Sequence, residues 1–132
     1  MALTVTLFLS ALLLLPVLLA QSATEYPVTL VVQDTINNRQ LLTYTTIIPY
    51  RAVLLGAMRK INQANPKNFR FETREDPNYG PFLVSVNGVA GNDTAHTYWQ
   101  LLKADGTPTD VGVGCYIPEP NETVTLKFTT WD

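Results

Sequence analysis

Alternation of apolar and polar residues along the chain predicts a series of β-strands. The clearest strand is 123–131, in which Val124, Leu126 and Phe128 share one face. Further strands are predicted at 26–33, 41–48, 69–73, 82–86 and 97–103. The turn-forming stretch DTINNR separates the first two of these strands, so we expect them to pair as a hairpin.

The period changes after Pro49 to that of a helix, whose apolar stripe comprises Val53, Leu54, Ala57, Met58 and Ile61. This predicts a helix of about 14 residues that ends near Asn65, because Pro66 disfavours helix for the residue before it. The polar stretch 74–80, REDPNYG, predicts a loop. The order strand, strand, helix and several strands predicts an α+β domain, with one helix against a mainly antiparallel sheet.

The first 20 residues contain no ionisable side chain, and the first such side chain in the chain is Glu25. An apolar N-terminal stretch that ends in a small residue, here Ala20, is typical of a secretory signal peptide. We therefore predict a signal peptide at 1–20, a mature domain at 21–132, an extracellular location and no membrane association after cleavage. A membrane anchor is the alternative, because about 20 apolar residues can span a bilayer.

Cysteine usage and glycosylation motifs bear on the same compartment. Cys115 is the only cysteine, so no internal disulfide is possible, and the simplest interpretation is a buried thiol. An intermolecular bridge is the alternative. The motifs at Asn92 and Asn121 (NDT and NET) predict N-glycosylation on surface loops.

Composition argues against catalysis and against nucleic acid as a partner. The formal net charge is −2 and the nine basic residues are scattered along the sequence. His96 and Cys115 have no partner in a recognisable catalytic motif, and a single histidine and a single cysteine cannot build a closed zinc site. No glycine-rich phosphate loop follows a strand. We predict a protein that is not an enzyme, with no metal site and with His96 in a solvated loop.

A binding surface is the better hypothesis. Tyr98 and Trp99 lie on opposite faces of one predicted strand, so at least one of them is available to a ligand unless both faces are covered. The small-residue loops at 78–81 and 107–109 would let backbone amides approach a ligand closely. Such a surface suits a large organic ligand. The alternative is that Trp99 only covers the edge of the core.

Several segments together resemble a known family. They are VTLVVQD with the helix that follows it, GPFLVSVNGVAG, TYWQLLK and GTPTDVGVGCYIPEPNETVTLKFTTW. Over about residues 26–131 they resemble the C-terminal β-domain of the cobalamin carriers, namely transcobalamin, haptocorrin and gastric intrinsic factor. The chain departs from that pattern where Cys115 precedes Tyr116, since the carriers often have an acidic residue there.

The resemblance implies a fold and a set of ligand contacts. The implied fold is two small antiparallel β-sheets packed around one α-helix, related to the β-grasp. The implied ligand-binding residues are Asn78, Tyr79, Gly80, Pro81, Phe82, Leu83, Trp99, Gln100, Leu101 and Thr109. Trp99 and Phe82 would offer apolar area to one face of the corrin, and Gln100 would hydrogen-bond the amide groups of its rim.

The implied function is that of a secreted cobalamin-binding module with a role in cobalamin transport. Cobalamin would be a bound ligand and not a catalytic cofactor. The carriers hold the corrin between this domain and a helical barrel, so we expect this chain to be a free-standing version of the smaller half. We expect it to bind weakly alone and to gain affinity from a helical-domain protein or a second copy. The alternative is a secreted glycoprotein interaction domain that kept the fold and lost the ligand.

Overall fold

The computed structural model describes residues 24–132, so the predicted signal peptide at 1–20 lies outside the described part. Strands β1 and β2 precede the helix α1, and five strands follow it. Their bounds are β1 Glu25–Asp34, β2 Leu42–Pro49, α1 Leu54–Ala64, β3 Phe71–Asp76, β4 Gly80–Val86, β5 Val89–Ala90, β6 Thr97–Leu102 and β7 Thr123–Thr130.

The strands form two sheets. The larger has the order β2-β1-β7-β6 and the smaller has the order β3-β4-β5. The predicted hairpin of β1 and β2 is confirmed, with Thr29 opposite Thr45 in an antiparallel register. The predicted fold class is also confirmed, although one pairing, that of β1 with β7, is parallel. Parallel neighbours need a long crossover connection, which here includes α1 and the smaller sheet.

The helix covers one face of the larger sheet. Its buried residues are Leu54, Leu55, Ala57, Met58 and Ile61, which include four of the five positions of the predicted stripe. Alternate residues of β1 from Tyr26 to Asp34 are buried, as are Val124, Leu126 and Phe128 of β7. The apolar period therefore places the core as predicted, between α1 and one face of the larger sheet.

The predicted loop at 74–80 is wrong in its first half. Strand β3 continues to Asp76, and β4 begins at Gly80 directly opposite it. The turn between them is closed by the Asp76 carboxylate, which accepts hydrogen bonds from the backbone of Asn78 at 2.8 Å and of Tyr79 at 3.0 Å. Pairing with β4 holds these polar residues in a strand, because contacts with a neighbouring strand can outweigh a low intrinsic β-propensity.

The segment from Gly112 to Tyr116 caps the helix. No side chain caps the N-terminus of α1; instead Leu54 N donates to Tyr116 O at 2.7 Å and Leu55 N donates to Val113 O at 2.9 Å. The segment forms one tight turn, in which Val113 is fully buried and Cys115 is exposed. The expectation of a buried Cys115 thiol is therefore wrong, because this turn directs residue 113 inward and residue 115 outward.

Two glycines let this segment contact the start of β4. A Cβ atom at Gly114 would lie 2.5 Å from Cγ of Pro81, and one at Gly112 would lie 3.2 Å from the Pro81 carbonyl oxygen. A proline ring cannot rotate away from such a contact. The segment that caps α1 is thereby held against β4.

Gly114→Ala is expected to lower the free energy of unfolding by about 1–3 kcal/mol, the usual cost of forcing atoms into a filled space. Gly56→Ala is the matched control, because nothing lies within 4 Å of its Cβ position. Since Gly56 lies within α1, alanine there is expected to stabilise the chain by about 0.5–1 kcal/mol. Urea unfolding followed by circular dichroism measures both. Equal effects at the two positions would contradict the close contact.

Candidate functional site

A groove of about 830 Å³ lies between the smaller sheet and β6, one of the two edge strands of the larger sheet. It falls within the size range of small-molecule sites. The smaller sheet contributes Glu72, Arg74, Phe82, Leu83, Val84, Ser85 and Ala90. The other side and the ends are formed by Gly91, Asp93, Thr97, Tyr98, Trp99, Leu101, Gly112 and Trp131.

Trp99 forms the back of the groove while belonging to the core. Its side chain is 6% exposed, and its ring lies 5.0 Å from that of Phe128. Its indole Nε1 donates to the Val89 carbonyl oxygen at 2.8 Å, which ties β6 to the smaller sheet. The structure thus favours the alternative that Trp99 covers the edge of the core, and leaves only a small part of the ring to a ligand.

Exposed aromatic area comes instead from Phe82 and Trp131. Phe82 is 37% exposed and Trp131 is 38% exposed, and both line the groove. Trp131 is fixed from two sides: His96 stacks on it at 5.1 Å, and Tyr98 meets it edge-on at 5.7 Å. His96 itself is exposed, as predicted for a solvated loop histidine. These contacts hold the Trp131 ring beside the groove without burying it.

Three charged residues border this apolar surface. Arg74 and Glu72 come from β3, and Asp93 follows the short strand β5. Among residues 24–132, an ion pair joins Arg39 Nε to Asp34 Oδ2 at 3.8 Å. Arg74 takes no part in it. The Arg74 guanidinium group can donate hydrogen bonds at this border, and the two carboxylates can accept them.

The structure brings four of the ten predicted ligand-binding residues into the groove. These are Phe82, Leu83, Trp99 and Leu101. The other six, Asn78, Tyr79, Gly80, Pro81, Gln100 and Thr109, are not among its lining residues.

Gln100 lies on the opposite face of β6 from Trp99. Trp99 is opposite the buried Phe128 in the pairing of β6 with β7, whereas Gln100 is opposite Lys127. Because side chains alternate along a strand, Gln100 shares its face of β6 with Tyr98, but only Tyr98 of these two lines the groove.

The remaining predicted residues lie in connecting segments. Tyr79 is 78% exposed at the turn between β3 and β4, and Gly80 has a φ of 73° there. Thr109 N donates to Leu101 O at 3.0 Å, so Thr109 attaches its loop to the end of β6. Pro81 lies against the turn that caps the helix and is not among the lining residues of the groove.

Sequence reasoning missed Arg74, Glu72, Asp93 and Trp131 as site residues. Glu72 and Arg74 alternate along β3 at a spacing of two, the one signal that could have placed them on a common face. Trp131 follows Thr130, which is opposite Thr97 at the end of β6. Its place beside the groove depends on the pairing of distant strands.

The half-buried Tyr116 and the buried Glu122 support the loop that follows the capping turn. The Tyr116 hydroxyl donates to Oε2 of Glu122 at 2.6 Å, and Oε1 of Glu122 accepts from Glu119 N at 2.8 Å. Burial, followed by the hydrogen bond and charge of Glu122, raises the pKa of the Tyr116 hydroxyl well above its usual value of 10.0.

The free energy of unfolding is expected to fall as the pH rises above about 10, and to fall less steeply in Tyr116→Phe. With a raised pKa in the folded state, Tyr116 keeps a proton that the unfolded chain loses near pH 10.0. The stabilisation is complete below that pH and is lost as the pH rises toward the folded-state pKa. Urea unfolding at pH values of about 8 to 11 measures the difference between the two proteins. Parallel profiles would contradict the prediction.

Both predicted glycosylation residues are exposed. Asn92 Oδ1 accepts from Ala95 N at 3.0 Å, and Asn92 precedes the groove residue Asp93. Asn121 has a φ of 64°, and its backbone N donates to Pro27 O at 2.8 Å. A glycan at Asn92 would therefore lie beside the groove.

Neither a metal cluster nor a membrane-spanning helix is found in the described part of the chain. Residues 24–132 contain no group of three or more His, Cys, Asp or Glu side chains placed to hold a metal ion. No helix within the same residues has the length and apolar character needed to cross a membrane.

Comparison with known proteins connects the chain to cobalamin-binding proteins. Residues 52–130 match the family described as Domain of unknown function (DUF4430). Human cobalamin binding intrinsic factor is 36% identical, over 74% of this chain and 24% of its own length. Human transcobalamin-1 is 29% identical, over 71% of this chain and 21% of its own length. The chain therefore matches about a quarter or less of the length of either relative.

Two solved structures share the fold. Haptocorrin in complex with Cbi superposes with a TM-score of 0.73 and 23% identity, over 82% of this chain and 26% of that chain. A protein from Ruminococcus gnavus whose name refers to metal binding gives a TM-score of 0.54 and 15% identity, over 81% of this chain and 99% of that chain. These likenesses confirm the α+β fold implied by the resemblance.

Proposed function

The chain belongs to the DUF4430 domain family, and we propose that in this member the groove between the smaller sheet and β6 binds one face of a corrinoid such as cobalamin. The observation that carries the proposal is the groove itself, in a chain 36% identical to a cobalamin-binding protein. Its aromatic wall of Phe82 and Trp131 borders Arg74, Glu72 and Asp93.

The groove matches the chemistry of a corrinoid. A corrin is a broad, largely apolar ring system with amide side arms at its rim. Phe82 and Trp131 offer apolar area to the flat face of the ring. Arg74 can donate to amide oxygens, while Glu72 and Asp93 can accept from amide nitrogens. Ligand sites of this kind combine apolar walls with a few orienting polar groups.

The same geometry predicts weak binding by the chain alone. The groove is open and contacts one face of a broad ligand, whereas small-molecule sites commonly bury roughly 70–90% of the ligand surface. A helical-domain protein or a second copy covering the other face would increase the affinity, at about tenfold for each 1.4 kcal/mol gained. In this proposal the chain is a secreted, glycosylated module that takes part in cobalamin transport and is not an enzyme.

Isothermal titration of the secreted chain with cobinamide and with cobalamin tests the proposal. We expect saturable binding with a Kd of roughly micromolar to millimolar. A porphyrin is the control ligand, because it is flat and apolar but lacks the amide side arms. Absence of saturation with both corrinoids at millimolar concentration would reject corrinoid binding by the chain alone and favour the alternative of an interaction domain. Equal binding of the porphyrin would reject recognition of the amide rim.

A further inference from the structure

The outer edge of β2 presents backbone hydrogen-bonding groups to solvent. β2 is the second edge strand of the larger sheet, opposite to β6, and it pairs on its inner side with β1. Pro27 of β1 lies opposite Ile47 of β2. Proline has no N–H to donate, and Pro27 O accepts from Asn121 N, on the β7 side of β1. Ile47 therefore directs its own N–H and C=O away from β1.

The same orientation extends along the strand. Thr29 N donates to Glu122 O at 2.9 Å, again toward the β7 side, so Thr45 opposite Thr29 also directs its backbone groups outward. The hydroxyls of Thr29 and Thr45 lie 3.3 Å apart, as expected for an antiparallel pair without backbone hydrogen bonds between the two residues. By the same alternation, Thr43 also directs its backbone N–H and C=O away from β1. Thr43, Thr45 and Ile47 thus form an open edge, which we call the β2 edge.

The β2 edge carries little of the protection that usually prevents strand pairing. β2 has the sequence LTYTTIIP, which contains no charged residue, and its proline is the last residue. Folded proteins commonly protect such an edge with charges, bulges or an internal proline. Here Lys60 of α1 reaches the edge and donates through Nζ to Ile47 O. A partner strand would therefore lie next to the Lys60 ammonium group and would have to offer it a hydrogen-bond acceptor or a negative charge.

Positive charge surrounds both ends of the β2 edge. Lys60 lies at the Ile47 end, and Lys67 and Arg70 border a cavity of about 450 Å³ at the Leu42–Tyr44 end. That cavity has no acidic residue in its lining. These cations belong to the segment 35–71, which contains six basic residues and no acidic one. Three of these six, Lys60, Lys67 and Arg70, lie around the β2 edge.

We propose that the β2 edge binds an extended acidic segment of another protein, which adds to the larger sheet as a fifth strand. Strand addition supplies backbone hydrogen bonds to Thr43, to Thr45 and to the N–H of Ile47, whose carbonyl oxygen already accepts from Lys60. Carboxylates at the ends of the added strand would meet Lys60 at one end and Lys67 and Arg70 at the other. On β1, Glu25 lies opposite Pro49, beyond the three outward-facing residues.

A second copy fits this edge less well through the same strand. Antiparallel pairing of β2 with β2 about a two-fold axis would bring Lys60 of each copy toward Lys67 and Arg70 of the other. Like charges placed together oppose association. The occupant favoured by charge is therefore acidic and extended. The β2 edge is separate from the groove, so this proposal does not depend on corrinoid binding.

Titration of the ¹⁵N-labelled chain with the synthetic peptide EEVTVTVEE, followed by NMR, tests the proposal. We expect saturable shifts and slowed hydrogen exchange of the amides of Thr43, Thr45 and Ile47. The peptide KKVTVTVKK is the control and is expected to bind about tenfold or more weakly. The double variant Lys67→Glu, Arg70→Glu should weaken binding of the acidic peptide by about tenfold or more. It should also bind the basic peptide more tightly than the acidic one.

Thr45→Pro separates strand addition from simple charge attraction. Residue 45 directs its N–H outward, so proline there removes one donor of the β2 edge without breaking a bond to β1. We expect it to abolish peptide binding, while Thr45→Val, which keeps the N–H, binds normally. Three results would overturn the proposal: unchanged NMR shifts and hydrogen exchange of the amides of the β2 edge, equal affinity for both peptides, or undiminished peptide binding by a folded Thr45→Pro variant. Dimerisation of the chain in sedimentation experiments, if Thr45→Pro abolishes it, would assign the edge to a second copy and also overturn the proposal.

Discussion

Replacement of Trp99 by alanine is expected to lower the free energy of unfolding by about 3–5 kcal/mol, the usual cost of removing a buried aromatic side chain. The ring is 6% exposed and lies against Phe128. The change also removes the hydrogen bond from Nε1 to Val89 O, which leaves that carbonyl without its partner. Urea unfolding followed by far-UV circular dichroism measures the loss.

Trp131→Ala is the control for this prediction. Trp131 is 38% exposed and follows the end of β7, so its loss is expected to cost less than about 1.5 kcal/mol. A Trp99→Ala variant as stable as the parent would contradict the structural role of Trp99. Loss of corrinoid binding in Trp99→Ala therefore says little about contact with the ligand, because the wall of the groove is lost with the side chain.

The elements that were predicted correctly are those specified by their own apolar period. The stripe at Leu54, Ala57, Met58 and Ile61 is buried in α1, and the alternation in β7 faces the same core. The polar end of β3 could not be predicted in this way. Its residues 74–76 are held in a strand by β4, and pairing between strands is not visible in local sequence.

The same distinction applies to the groove. Phe82, Leu83, Trp99 and Leu101 lie on strands that the sequence predicts, and all four reach it. Arg74 depends on the register of β3 against β4, which shifts between Glu72 and Thr73. Tyr79 and Gln100, which the same resemblance implies, lie outside the groove lining, Tyr79 in a turn and Gln100 on the face of β6 opposite to Trp99.

Phe82→Asp is expected to weaken corrinoid binding by about 100-fold or more, equivalent to about 2.7 kcal/mol. The side chain of Phe82 is 37% exposed on β4 and supplies apolar area to the groove. Aspartate removes that area and places a further negative charge near Glu72 and Asp93. Burying an unpaired carboxylate beneath an apolar ring is unfavourable. Isothermal titration with cobinamide measures the change, and an unaltered circular dichroism spectrum confirms that the variant is folded.

Tyr79→Ala is the variant that locates the binding surface. Tyr79 is 78% exposed in the turn before β4 and lies outside the groove lining, three residues from Phe82. If the groove binds the corrinoid, Tyr79→Ala leaves the affinity within about twofold of the parent while Phe82→Asp nearly abolishes binding. The reverse order would move the ligand to the turn between β3 and β4. In that case the residues implied by the resemblance at 78–80 would form the site, and the groove would be only the seam between the two sheets.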